Sequence, residues 1–175
     1  MIAAIVAVDN NFGIGSDNEL LTNIPEDLKN FKRLTTNNVV IMGRKTYDSL
    51  PVKPLPNRTN IVITSNSDLL NSNDISKNNV IFVTLDFIKT LFKSISPNNL
   101  LVDVFIIGGG MIYKELLHYC EQIYMTKINH TYNNADTYFP NIDCMQDWKL
   151  TMSSDTRKYN DIEYKFCIYK RGEIK

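Results

Sequence analysis

The chain has 175 residues, 43% of them hydrophobic and 22% charged, which fits one domain spanning residues 1–175 with a core large enough to need no staples. Nineteen basic residues balance nineteen acidic ones and form no long basic stripe, so nucleic acid and acidic membrane surfaces are not expected partners. Cys120, Cys144 and Cys167 are odd in number and lack metal-ligand spacing, and His118 and His130 have no Cys, His or acid nearby at such spacing, so no metal is expected.

Met1–Val8 is apolar but short, has no basic leader and ends at Asp9, so it reads as a buried strand rather than a signal peptide or membrane span. The paired glycines of Phe12-Gly13-Ile14-Gly15-Ser16 suit either a mobile loop over a site or a simple turn. Asn23–Leu34 then carries an acid on an apolar stripe. Pro25 suits the first helical position, and Ile24, Leu28, Phe31 and Leu34 recur at helical spacing. Asp27 falls on that stripe, while Glu26 aligns with Asn30 and Arg33 on the wet face. An acid among apolar groups has a raised pKa and is a candidate proton donor or ligand anchor. The competing reading is that Asp27 only favours the helix N-terminus.

Val39–Met42 reads as a strand that ends at Gly43 before Arg44-Lys45-Thr46 and a helix over Lys45–Leu50. Thr46 and the arginine fork suit a phosphate, against the alternative of a solvated basic turn. Pro54–Asn60 holds Arg58 after a proline-stiffened loop, where it suits a carboxylate or is simply a surface arginine. Strands follow at Ile61–Thr64, Val80–Val83 and Val102–Ile107, with helices at Asp86–Lys93 and Met111–His118. Gly108-Gly109-Gly110 stands between strand and helix and exceeds what a tight turn needs, which favours close approach to a phosphate. The last third, with strands at Ile123–Ile128, Trp148–Ser153 and Tyr164–Tyr169, has no convincing helix. An α/β fold with a largely parallel sheet and an antiparallel C-terminal edge accounts for this order. Asn66–Asn79 and His130–Asp136 read as polar surface loops.

In order and spacing these segments resemble dihydrofolate reductase. The likeness runs through Gly13-Ile14-Gly15, Ile24-Pro25-Glu26-Asp27-Leu28, Phe31-Lys32, Ile41-Met42-Gly43-Arg44-Lys45-Thr46, Leu55-Pro56-Asn57-Arg58, Ile107–Gly110 with Tyr113, and Asp136-Thr137-Tyr138-Phe139-Pro140. It implies a mixed sheet of eight strands. It also implies NADPH-dependent reduction of 7,8-dihydrofolate to tetrahydrofolate, in support of one-carbon and thymidylate metabolism. Asp27 matches the family's active-site acid, Thr126 the threonine bonded to it, and Ile5 and Ile107 the carbonyls that receive the pterin amino group. Leu28 and Phe31 would line the aminobenzoyl pocket. Arg58 would hold the glutamate α-carboxylate, with Lys53 at the same end where arginine is common.

For the cofactor, the resemblance puts Ala7, Ile14 and Gly15 at the nicotinamide and Gly108, Gly109 and Gly110 beside Thr46 at the pyrophosphate. Arg44, Thr64 and Ser65 would hold the 2′-phosphate. Gly43, Lys45, Met111, Ile112 and Tyr113 complete the implied cofactor contacts. One departure is clear: Leu21-Thr22 stands where the family usually has Pro-Trp, which implies weaker pterin packing and a looser loop. The thiols suggest a reducing cytoplasm, and a monomer is expected. Two alternatives share the architecture: a folate-binding or assembly component with little turnover, and a pyrimidine reductase of riboflavin synthesis.

Overall fold

The computed structural model describes residues 1–71, 79–95 and 100–172. The first strand, β1 (Ile2–Val8), is buried on both faces, as a central parallel strand must be. A hairpin of β2 (Gly13–Ser16) and β3 (Glu19–Leu20) follows. Helix α1 (Pro25–Thr35) has Pro25 in its first turn and leads to β4 (Val39–Gly43) and α2 (Arg44–Ser49). Next come β5 (Thr59–Ile63), a short α3 (Ser67–Asn71), β6 (Val80–Val83) and α4 (Leu85–Ser94). The Thr84 side chain caps α4 by accepting from the Phe87 N–H. Then β7 (Val104–Ile106), α5 (Gly110–Leu116) and β8 (Gln122–Ile128) complete the parallel part. Strands β9 (Thr137–Tyr138), β10 (Trp148–Ser153), β11 (Arg157–Tyr159) and β12 (Ile162–Arg171) end the chain.

The main sheet runs β10-β12-β8-β1-β7-β4-β5-β6, with β11 paired to β12 outside that row of eight. Pairs from β8 through β6 are parallel, and β12 joins β8 and β10 antiparallel, as the C-terminal composition predicts. Alternate residues of the central strands feed opposite faces. Ile2, Ala4, Val6, Ile41 and Ile106 pack with α4 and α5, while Ala3, Ile5, Val40, Met42 and Phe105 pack with α1 and α2. Strand β7 enters between β1 and β4, although β4, β5 and β6 precede it in the chain. The carboxyl ends of these parallel strands meet there, at the crevice where open α/β sheets take ligands.

Several boundaries differ from the sequence reading. The Gly13–Ser16 segment forms a strand, because Asp17 and Asn18 both take positive φ and close a two-residue turn onto β3. Expected strand Val102–Ile107 shrinks to three residues, with Leu101 and Val102 exposed. The Ile61–Thr64 strand starts earlier, at Thr59. Within the loop expected at Asn66–Asn79 lies the short helix α3, and residues 72–78 of that loop fall outside the described residues.

Candidate active site

Asp27 sits in the first turn of α1, and its Oδ1 accepts a hydrogen bond from the Thr126 hydroxyl at 2.5 Å. Thr126 is buried on β8 opposite Ala7 of β1 and Phe166 of β12, so three strands fix the donor. Burial pushes the Asp27 carboxyl above the usual carboxylate range, and the Thr126 bond opposes that only in part. The acid sits where the sequence puts it, but the stripe around it is not a buried core. Of α1 itself only Thr35 is buried, Leu28 is 44% exposed, and Phe31 and Leu34 are half-buried. The stripe is a cleft wall, which keeps apolar surface available for a ligand.

Around this wall the expected substrate residues converge. Phe31, Ile107 and Ile5 belong to one cluster with Leu50 and Leu55. Arg58 is buried, stacks its guanidinium 5.9 Å from the Phe31 ring centre, and donates from Nε to the Pro56 carbonyl and from Nη1 to the Thr35 hydroxyl. Such anchoring presets the fork at little further entropic cost. Two supports escaped the sequence reading. Thr35 holds Arg58, and buried Asn60 pins the loop by bonding both the N–H and the carbonyl of Leu55 and the carbonyl of Arg58. The signal available was a pair of polar residues at positions the strand and helix patterns bury. Lys53 is exposed and donates to the Asp48 carbonyl.

The Ile5 carbonyl accepts from the Tyr113 hydroxyl at 2.7 Å. A carbonyl has two lone pairs, so this bond does not use up its accepting capacity. Tyr113 is fully buried, and its hydroxyl is pushed far up by burial and by nearby Asp27.

The two glycine-bearing turns adjoin, as the phosphate reading requires. The Gly43 N–H donates to the Gly108 carbonyl at 2.8 Å. Gly108 has φ +114° and lies against the Tyr113 ring, a conformation that favours glycine. A Cβ on Gly109 would meet Thr46 Oγ1 at 3.3 Å, and one on Gly110 would meet the Tyr138 carbonyl at 2.9 Å. Helices α2 and α5 have six and seven residues, so local N–H groups rather than long dipoles face this cradle. Ile112 and Tyr113 are buried, whereas Met111 and Lys45 are exposed. Arg44 begins α2 and Thr64 follows β5, side by side because Gly43 pairs with Ile63. Arg44 is ion-paired with Asp48 at 2.5 Å, Thr64 accepts from the Asn66 N–H, and Ser65 is exposed. Ile14 and Gly15 lie on β2, and buried Asp9 holds the preceding turn by accepting from the N–H groups of Asn11, Gly13 and Tyr132. Asp9 was also missed, though an acid directly after an apolar strand marks a turn.

Asp27 bonds to Thr126 rather than Thr22, which is half-buried in the bend before α1. Glu26, expected on a wet face, keeps a side chain that is nearly half exposed and there pairs with Arg157 and accepts from the Tyr164 hydroxyl at 2.6 Å. All three cysteines are free. Among the described residues no cluster of acids, His and Cys is suited to a metal, and no helix is long and apolar enough to cross a membrane.

Comparison with known proteins fits this geometry. The family model for dihydrofolate reductase matches residues 1–171. Dihydrofolate reductase of Bacillus subtilis is 38% identical over 98% of this chain and 95% of its own length. That of Buchnera aphidicola (subspecies Acyrthosiphon pisum) is 38% identical over 97% of this chain and 99% of its own. The structure of dihydrofolate reductase from Enterococcus faecalis complexed with NADP(H) and RAB-propyl superposes with a TM-score of 0.80 at 30% identity, over 99% of this chain and 97% of that one. With fold, cleft and relatives in agreement across almost its whole length, the chain belongs to the dihydrofolate reductase family.

Proposed function

We propose that residues 1–175 form a single domain that reduces 7,8-dihydrofolate to 5,6,7,8-tetrahydrofolate with NADPH. The observation that carries this reading is the hydrogen bond of Asp27 to buried Thr126 on an apolar cleft wall, beside a glycine cradle. NADPH, when bound, supplies the hydride that reduces C6. The cradle fits it: side chains at Gly109 and Gly110 would fill the space beside Thr46 and Tyr138. Gly43, Thr46 and Gly108–Gly110 would hold the pyrophosphate, Arg44, Thr64 and Ser65 the 2′-phosphate, and Ala7, Ile14 and Gly15 the nicotinamide end. Lys45, Met111, Ile112 and Tyr113 flank these groups.

Asp27 would accept the pterin amino group and N3–H, which orients the ring. Because burial raises its pKa, it also retains a proton closer to neutral pH than an exposed acid does. One proton per turnover must reach N5 to balance the hydride at C6, and Asp27 supports that transfer. The Ile5 and Ile107 carbonyls would take the pterin amino hydrogens. Leu28 and Phe31 would cover the aminobenzoyl ring, with Arg58 on the α-carboxylate. Lys53 would stay at the outer edge. Three free cysteines support a reducing, cytoplasmic setting, and we assign a monomer. Relatives that are dihydrofolate reductases disfavour the riboflavin-pathway reductase and the low-turnover folate binder.

NADPH absorbance with added dihydrofolate tests the reading, for wild type and Asp27→Asn. Wild type should turn over, and the variant should depend on substrate protonated in solution, with activity confined to acidic pH. A wild type that binds folate without oxidising NADPH would defeat it.

A further inference from the structure

A second cavity, of about 470 Å3, lies behind α1. Glu26, Asn30 and Arg33 follow one row of the helix and line it, whereas Leu28 and Phe31 on the other face do not. Met152 of β10 and Phe166 and Ile168 of β12 form its apolar walls. Of the residues on the folate side, Ile5, Asp27, Thr126 and, from the stripe, Leu34 also reach it. Both partners of the catalytic hydrogen bond are therefore approached from two sides.

The cavity suits water. Its volume holds on the order of ten molecules, and Asn30, Ser154 and Tyr124 give them polar partners. At its rim Glu26 pairs with Arg157, and both side chains are nearly half exposed, so bulk solvent is at hand. On the other side of Asp27, a pterin held by the carboxyl would cover it.

We propose that this cavity is the solvent entrance through which the Asp27 carboxyl regains its proton, separately from the folate cleft. The inference rests on the function proposed above. Hydride addition at C6 is matched by a proton at N5. When that proton comes from Asp27, a carboxylate remains, and a hydronium equivalent passed along the cavity restores the acid. No electrons move in this second step, and bulk water is the proton source. The charged and titratable groups around Asp27 and its cavity are Glu26, Lys29 and Arg33 of α1, Arg157 of β11, Tyr164 and the Cys167 thiol of β12, Tyr124 of β8 and Tyr113 of α5. Asp27 itself lines the cavity, so filling the space is the test.

Two variants place bulk there from opposite walls: Asn30→Phe from the helix and Met152→Trp from the edge strand. Cofactor binding, followed by NADPH fluorescence, and both KM values should stay within about twofold of wild type. Turnover should fall about fivefold or more at about pH 9 yet stay within about twofold at about pH 6, where substrate arrives protonated. The solvent deuterium effect on kcat at the higher pH should grow. If filling the cavity merely dried out Asp27, its pKa would rise and high-pH activity would increase, which would overturn the proposal. An equal loss at every pH, or an unchanged profile in both variants beside an active wild type, would overturn it as well. A wild type without turnover would instead remove the reductase reading itself, and this inference with it.

Discussion

Removing the Thr126 hydroxyl tests whether the Asp27 proton is managed from β8. Thr126→Val keeps the β-branched shape that suits a strand but deletes the donor at 2.5 Å, at a position only 3% exposed. A hydrogen bond to an ionised acceptor contributes about 1.5–3 kcal/mol, and 1.36 kcal/mol corresponds to a tenfold change in protonation equilibrium. The bond favours the ionised form while burial disfavours it, so its loss leaves burial unopposed. The alkaline limb of kcat/KM against pH should therefore move upward by about one to two pH units. Stability changes with a defined sign. The folded pKa already lies above the unfolded value of 3.8, so the Asp27 contribution is fully present below that value and is lost as pH rises through the folded pKa. The variant should lose most stability on the alkaline side, by up to about 1.5–3 kcal/mol, and less in acid. Parallel pH–rate profiles and urea titrations at several pH values read both effects. An alkaline limb that stays fixed or moves to lower pH would refute the reasoning.

Asp27→Asn removes a buried charge and should raise stability at neutral pH on the order of 1 kcal/mol, roughly 2–4 °C in Tm, while activity collapses; calorimetry on the two proteins checks this. Asp48→Asn frees Arg44 from an exposed ion pair, so NADPH should bind up to about fivefold tighter while NADH affinity is unchanged, as read by fluorescence titration. Gly110→Ala drives a methyl against the Tyr138 carbonyl at 2.9 Å and should cost about 1–3 kcal/mol together with cofactor affinity, measurable by urea unfolding and NADPH titration. The double substitution Leu21→Pro, Thr22→Trp should change hydride-transfer kinetics and pterin affinity; identical stopped-flow rates and binding in both proteins would remove any role for that segment.

The parallel core was legible because its strands are buried on both faces and therefore appear as unbroken apolar runs, as in Ile2–Val8. Asp27 was legible because an acid on a helical stripe violates the local pattern. Long-range pairings were not. Glu26 follows helical rules for a wet position, yet its partners Arg157 and Tyr164 lie 131 and 138 residues away, where no periodicity can connect them. Asn60 and Asp9 escaped for a related reason. Their burial is stable only because loop backbone groups converge on them, and that convergence belongs to tertiary structure. The short β2–β3 hairpin was hidden by its glycines, which suit a turn and a strand alike.

The Leu21-Thr22 departure gains a physical meaning from this geometry. A short threonine side chain could have replaced the missing ring as a partner of the acid, but Asp27 bonds to Thr126. That donor is set by β8, flanked by β1 and β12, and owes nothing to the loop before α1. The loop can therefore vary in how it packs on a pterin without disturbing how the carboxyl is oriented. Proton supply is separable in the same way, because the cavity behind α1 is walled by Asn30, Met152 and Phe166 rather than by residues 21 and 22. Substitutions in the loop should therefore act on ligand affinity and on the hydride step. Substitutions at Thr126, or in the cavity, should act on the pH dependence. A loop variant that moved the alkaline limb as far as Thr126→Val does would break that division, and would tie the acid to the segment that covers it.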